Sequence, residues 1–217
     1  MANGGWEMSV WHYTVGVRLR SILEDRTIKL ATEGVPVGER PAVWSTISPK
    51  WEPTANKVLD LEGQIIKLGK QETAAHGEGL YRIELLPEAA PYGWEEYRRL
   101  SHIPERMAKS LARIAREQNS HYRDWRVSFE PIPQAKWLRI EFEGGNSDQW
   151  RELSTDLVTA WTRPVIGKGC LVCSEIKEQS GAPWRYMPDP DTGEPRVLCA
   201  SCYALRERRV NGKLGSD

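Results

Sequence analysis

The four cysteines of this 217-residue chain all lie after residue 169, as two Cys-x-x-Cys pairs. Two thiolates on one tight turn and two on another can share a tetrahedral Zn²⁺ ion, and four sulfur ligands leave no open position for catalysis. The spacing therefore predicts a structural zinc site, with two redox pairs or free thiols as the alternative. The predicted ligands are Cys170, Cys173, Cys199 and Cys202.

The histidines exclude one function for this cysteine segment. All four of them precede it, so the segment on its own lacks the histidine base or ligand that a zinc-knuckle nuclease needs. The length suffices for one medium domain with a small appendage. We therefore expect an α+β domain over residues 1–163, followed by a zinc-ribbon-like module over residues 164–217.

Composition indicates a globular chain whose net charge favours no class of binding partner. Hydrophobic residues make up 40% of the chain, charged residues make up 28%, and 30 basic side chains balance 30 acidic ones. Binding to nucleic acid would therefore need a local basic patch. Ten tryptophans stand against two phenylalanines. Such rings can stack on bases or nicotinamide, although filling a core is their more usual role.

From the sequence we expect neither a membrane span nor a targeting segment. No apolar run approaches the roughly 18 residues that a spanning helix requires. Residues 1–8 also lack the basic and apolar regions of a signal peptide. We expect a cytoplasmic protein without membrane contact, and a reducing compartment favours metal ligation by the cysteines over disulfides.

Hydrophobic periodicity predicts several short strands and a few helices. Strands are predicted at 10–14, 27–30, 42–46, 64–67, 80–86, 125–129 and 137–142, the last two as neighbours. Helices are predicted around 17–23, along 103–115, and from Ser147 through Trp150 and Leu153. Residues 48–79 are polar and broken by glycine and proline, which is typical of a long loop that walls a site. The mixture indicates an α+β fold.

The first 50 residues carry a recognisable motif. Trp11-His12-Tyr13-Thr14 is followed by Leu19 and Ile22-Leu23, and later by Val43-Trp44-Ser45-Thr46. This order resembles the opening of ADP-ribosyltransferase-like folds, a superfamily that includes RNA 2′-phosphotransferases and DNA-modifying toxins. There, a strand reading H-Y/H-T precedes a helix of the form L-x-x-I-L. The resemblance implies a split β core that grips NAD between two small sheets.

The resemblance also implies positions for the cofactor-binding residues. His12 would donate a hydrogen bond to the ribose beside nicotinamide, with Thr14 next to it and Tyr13 on the opposite face. Trp44 would pack on the nicotinamide ring, and Ser45 would steady the site. The alternative for His12 is a hydrogen-bonded structural histidine.

The superfamily usually adds a carboxylate on a later strand, and Glu130 is the candidate here. Breaking the bond to nicotinamide builds positive charge on the ribose carbon, so His12 and a carboxylate would form the catalytic pair. Glu130 precedes Pro131 and fits a turn equally well. Glu141, Glu143 and Glu84 are alternatives, and the loss of any such acid would leave a binding fold without catalysis.

Two functions follow from these observations. The first is an ADP-ribosyltransferase-like enzyme that uses NAD to modify a protein, a nucleic acid or a small acceptor. The second is a non-catalytic interaction protein whose zinc module and tryptophan-rich domain bind nucleic acid or protein. The sequence leaves the acceptor and the oligomeric state open.

Overall fold

The computed structural model describes residues 9–61, 64–143 and 149–153, together with two strands at 185–188 and 195–198. The strands, in chain order, are β1 (Val10–Val15), β2 (Thr27–Ile28), β3 (Val43–Thr46), β4 (Val58–Leu61), β5 (Gln64–Lys67), β6 (Leu80–Leu85), β7 (Trp125–Ser128), β8 (Ile132–Pro133), β9 (Trp137–Glu143), β10 (Trp150–Glu152), β11 (Arg185–Pro188) and β12 (Pro195–Leu198). The α-helices are α1 (Gly16–Asp25), α2 (Lys70–His76), α3 (Trp94–Leu100) and α4 (Glu105–Glu117). The fold class is α+β, as the sequence predicts.

Six antiparallel strands form the main sheet, in the order β10-β9-β6-β1-β3-β7. The central strand β1 is paired with β6 along its whole length, from Val10 to Val15. Its register with β3, in contrast, consists of one pair, Trp11 opposite Thr46. The two halves of the sheet therefore part immediately beyond Trp11, at the position of His12.

The two faces of the sheet bury different kinds of side chain. One face carries aliphatic residues such as Val10 and Ile83, which form a core with Leu19 and Leu23 of α1. The 3.6-residue spacing predicts this buried side for Leu19, Leu23 and the partly buried Ile22, whereas Val17, which the spacing places with them, is exposed. The opposite face, called the aromatic face below, carries most of the buried aromatic rings, although Tyr81 and Phe142 belong to the first core.

Most of the tryptophans with described side chains are packed in the core of the aromatic face. One group of rings surrounds Tyr13 and includes Trp11 and Trp51. A second group, on the β3 and β7 half of the sheet, includes Trp94 and Trp125. These rings therefore fill the core, which is the more usual role of tryptophan.

The prediction that two of the strands are neighbours is wrong. The segments over 125–129 and 137–142 are not neighbours, because β7 pairs with β3 while β9 pairs with β6 on the other half of the sheet. Between β7 and β9 in the sequence, β8 pairs with β2 outside the main sheet, with Ile132 opposite Ile28.

The helix predicted from Ser147 is replaced, over the described residues 149–153, by the edge strand β10. The Trp150 ring lies 5.6 Å from the ring of Tyr13 and 4.5 Å from the guanidinium of Arg82. These contacts, together with pairing against the end of β9, override the helical spacing of the apolar residues.

The long loop predicted over 48–79 has structure of its own. A 3₁₀ turn at Pro53–Ala55 is followed by the β4–β5 hairpin, which contains the predicted strand at 64–67, and by α2.

Nothing among the described helices combines the length and apolar character needed to cross a membrane.

The described strands β11 and β12 lie in the sequence between the two cysteine pairs. They form an antiparallel pair with Arg185 opposite Leu198. The four cysteines themselves and the proposed boundary at residue 163 lie outside the described residues, so the two-domain division stays a prediction.

Candidate functional site

A cavity of about 430 Å³ lies where β1 and β3 part. Small-molecule sites usually have volumes of about 300–1,000 Å³. Its walls come from both strands, from the segments beside β2 and β3, and from the 3₁₀ turn region, α4 and β7. The lining residues are Trp11, His12, Tyr13, Lys29, Ala31, Ala42, Val43, Trp44, Ser45, Thr46, Glu52, Thr54, Ala55, Lys57, Leu111 and Trp125. Another, more open cavity of about 540 Å³ beside α3 contains none of the predicted site residues.

His12 bridges the opening between the two strands. Its Nδ1–H donates a hydrogen bond of 2.8 Å to the carbonyl oxygen of Trp44. Burial lowers the pKa of the imidazole to about 4, and the positive charge of Lys57 lowers it further against the opposing effect of that hydrogen bond. At neutral pH the ring is therefore uncharged, with its proton on Nδ1 and an acceptor lone pair on Nε2. This reverses the expectation that His12 donates to a ligand.

Trp44 and Ser45 line the same cavity from β3. The Trp44 ring is held edge-on between Tyr97, at 4.5 Å between centroids, and Trp125, at 5.5 Å. Ser45 is buried, and its hydroxyl has no hydrogen-bond partner among the described residues. An unmet buried hydroxyl costs about 1–3 kcal/mol. A ligand group that bonds Ser45 Oγ would recover this energy.

Tyr13 and Thr14 occupy different environments. Tyr13 lies on the opposite face from His12, and its hydroxyl donates to the carbonyl oxygen of Ser48 at 2.9 Å. Burial raises the pKa of this phenol well above its usual range, so it stays protonated and cannot act as a base. Thr14 is buried and does not line the cavity.

Glu130 lies away from this cavity. Its side chain is 83% exposed, and its carboxylate is 4.0 Å from the guanidinium of Arg40. The Ser128 hydroxyl bonds the backbone of Glu130, as expected for a turn acid. The geometry therefore does not bring Glu130 together with His12 and Trp44.

The alternative acids on the sheet are engaged by basic residues. Glu141 accepts from Arg82 Nε at 2.6 Å, Glu84 pairs with Arg139 at 2.7 Å, and Glu143 pairs with Lys70 at 2.5 Å. None of the three lines the cavity.

The acidic residue that does line the cavity, alone among the described residues, is Glu52. It is buried, and its Oε1 accepts hydrogen bonds from Thr54 N at 3.2 Å and Thr54 Oγ1 at 2.7 Å, which cap the 3₁₀ turn. The sequence predicts a site wall over residues 48–79, which includes Glu52, but does not distinguish Glu52 from the other residues of that segment. The sequence feature that marks Glu52 is weak, because an acid before proline with threonine two positions later is typical of a turn cap.

Two lysines bring positive charge to the cavity. Lys29 is 2.6 Å from the Asp25 carboxylate and is thereby neutralised. Burial lowers the pKa of Lys57, and nearby Arg18 lowers it further. The cavity thus combines a neutral imidazole, a buried acid, an aromatic wall and a cation.

The chain matches no protein-family model, no curated protein and no solved structure.

Metal binding stays a prediction for the cysteine segment. Within the part of the chain that the structure describes, no three His, Cys, Asp or Glu side chains are grouped so as to hold a metal ion. Cys170, Cys173, Cys199 and Cys202 lie outside that part.

Proposed function

We propose that this protein is an ADP-ribosyltransferase-like enzyme, with NAD as the substrate bound in the cavity between β1 and β3. One observation carries the proposal. His12, Trp44 and Ser45, which the sequence motif singles out, line one ligand-sized cavity at the point where the sheet divides. The acceptor is a protein, a nucleic acid or a small molecule.

His12 and Ser45 supply complementary hydrogen-bonding groups for the nicotinamide riboside end. The uncharged His12 accepts at Nε2, which suits a ribose hydroxyl donor. The Ser45 hydroxyl can both donate and accept, and no described residue uses it. The indole of Trp44, fixed by Tyr97, offers the aromatic surface on which a planar leaving ring packs.

The reaction breaks the bond between ribose C1′ and the nicotinamide nitrogen, and the electron pair of that bond neutralises the pyridinium ring. Positive charge then builds on the ribose, where a carboxylate stabilises it only in the transition state. The acceptor oxygen or nitrogen forms the new bond to C1′ and releases its proton to a base. We assign the carboxylate to Glu52, since it lines the cavity that holds His12, whereas Glu130 does not.

Titration with NAD, followed by assay for released nicotinamide with mixed acceptors, tests the proposal. We expect saturable binding by the wild-type chain and a loss of about tenfold or more in His12→Ala, which removes one ligand hydrogen bond and the bridge to β3. His76→Ala is the matched control, because His76 is exposed at the end of α2. Both variants are first compared by thermal unfolding.

The outcomes separate the two functions. Absence of saturable NAD binding and of turnover in the wild-type chain would remove the enzyme and leave the interaction-protein hypothesis. Binding without nicotinamide release would retain the nucleotide site and remove the catalytic role.

A further inference from the structure

Lys57 is held at the cavity by its backbone. Its N–H donates a 3.0 Å hydrogen bond to Oγ1 of the buried Thr73, which ties the segment before β4 to α2. The side chain lines the cavity, and its charge acts on the imidazole of His12. Lys57 therefore lies on the wall of the cavity at which His12 is found.

The ammonium group of Lys57 has no counterion in the described part of the chain. It forms neither an ion pair nor a hydrogen bond there, and Glu52 of the same cavity does not reach it. Partial burial of an unpaired charge is unfavourable, and such a charge is normally compensated by an opposite one. The other cavity lysine, Lys29, already has Asp25 as its partner.

Arg18 is a second cation whose charge acts on Lys57. Its charge lowers the pKa of Lys57, and it lies on the exposed side of the first turn of α1, a turn that contains no acid. Arg20, on the same helix, already has a counterion, because it pairs with Glu78 at 3.3 Å. Arg18 does not line the cavity, so Lys57 is, among the described residues, the unpaired cation there, and it favours a ligand that carries negative charge.

We propose that Lys57 binds the diphosphate group of the dinucleotide while His12, Trp44 and Ser45 bind its nicotinamide riboside end. This assignment rests on the function proposed above and adds to it the group that supplies the missing counterion. A diphosphate carries charge on several oxygens, so it can accept charge-assisted hydrogen bonds from an ammonium group.

Calorimetric titration with two fragments of NAD tests the assignment. ADP-ribose contains the diphosphate, whereas nicotinamide riboside contains no phosphate. Lys57→Gln should bind ADP-ribose about tenfold to hundredfold more weakly than the wild-type chain, the usual effect of losing a hydrogen bond to a charged group. Its affinity for nicotinamide riboside should be unchanged, and Lys57→Arg should recover most of the ADP-ribose affinity.

The control is Lys109→Gln, which removes an exposed lysine of α4 that pairs with Glu105 at 3.6 Å. Equal ADP-ribose affinity in Lys57→Gln and the wild-type chain would overturn the assignment and leave the proposed function intact. Equal losses for both fragments would also overturn it, because they would indicate a role in shaping the cavity. If the wild-type chain binds neither fragment, the proposed function fails and this assignment fails with it.

Discussion

The Nδ1–H of His12 donates to the carbonyl oxygen of Trp44 at 2.8 Å, across the line where β1 and β3 cease to pair. A side chain thus joins the two halves of the sheet at the place where the backbone ladder ends. The bond fixes the tautomer of the imidazole and leaves Nε2 as an acceptor. The stability of the sheet therefore depends on this histidine being uncharged, as would the ligand binding that we propose.

Stability should fall on acidification because of His12. Its pKa is about 4 in the folded chain against the ordinary 6.5, so between these values the unfolded chain binds a proton that the folded chain does not. The free energy of unfolding should decrease by about 2 kcal/mol from pH 7 to pH 5 through this group. Urea denaturation at both pH values should show this decrease in the wild-type chain and in His76→Gln, but not in His12→Gln. A parallel decrease in all three would contradict the prediction.

Gly16 should not tolerate a larger residue. A Cβ atom at this position would lie 2.3 Å from the carbonyl oxygen of Glu78, where the junction of β1 and α1 meets the turn before β6. We expect Gly16→Ala to lower the free energy of unfolding by about 1–3 kcal/mol through overpacking. Gly93→Ala is the comparison, since its nearest neighbour is the flexible end of Arg126 at 3.8 Å. Denaturation midpoints that agree between the two variants would refute the steric argument.

The buried ion pair of Arg82 with Glu141 should be sensitive to removal of one partner. The Arg82 guanidinium lies 3.9 Å from the ring of Trp11 on one side and 4.5 Å from that of Trp150 on another. Glu141→Gln leaves this buried cation without its carboxylate, which should cost about 3 kcal/mol or more. Glu88→Gln, which breaks an exposed pair with Lys136, should change the denaturation midpoint little. Similar denaturation midpoints for both variants would contradict the prediction that the Arg82–Glu141 pair stabilises the fold more than an exposed pair does.

The cysteine pairs should bind one zinc ion per chain. Elemental analysis of the purified protein should give about one Zn, because four thiolates complete a tetrahedral site. The double variant Cys170→Ser/Cys199→Ser should lose the metal, since each pair then keeps a single sulfur ligand. A wild-type chain that is purified without chelators and contains no zinc would contradict this prediction.

Local patterns were sufficient for much of the fold. The alternation in β1, β6 and β9 and the helical spacing in α1 and α4 are visible in the sequence because each element buries one side. Strand order was not visible, because the pairing of β8 with β2 depends on contacts between distant segments. The strand β10 was missed for the same reason, since its tryptophan packs on residues more than 60 positions earlier.

The candidate site was predictable on its strand side only. His12, Trp44 and Ser45 lie on regular strands, so the motif and the alternation indicate their positions. Glu52 and Lys57 lie in an irregular segment that reaches the cavity through a 3₁₀ turn and a bond to Thr73. No periodicity marks such residues, and their chemistry becomes apparent only when the chain returns beside β1.

The choice between Glu52 and Glu130 gives the most direct test of catalysis. Glu52→Gln keeps an amide oxygen to accept the two hydrogen bonds from Thr54, so the turn should remain capped and the unfolding midpoint should change little. It removes the only carboxylate among the described cavity residues, so nicotinamide release should fall about a hundredfold or more with little change in NAD affinity. Glu130→Gln changes an exposed turn acid and should retain activity. If activity depends on Glu130 and not on Glu52, the cavity between β1 and β3 is not where the ribose bond breaks.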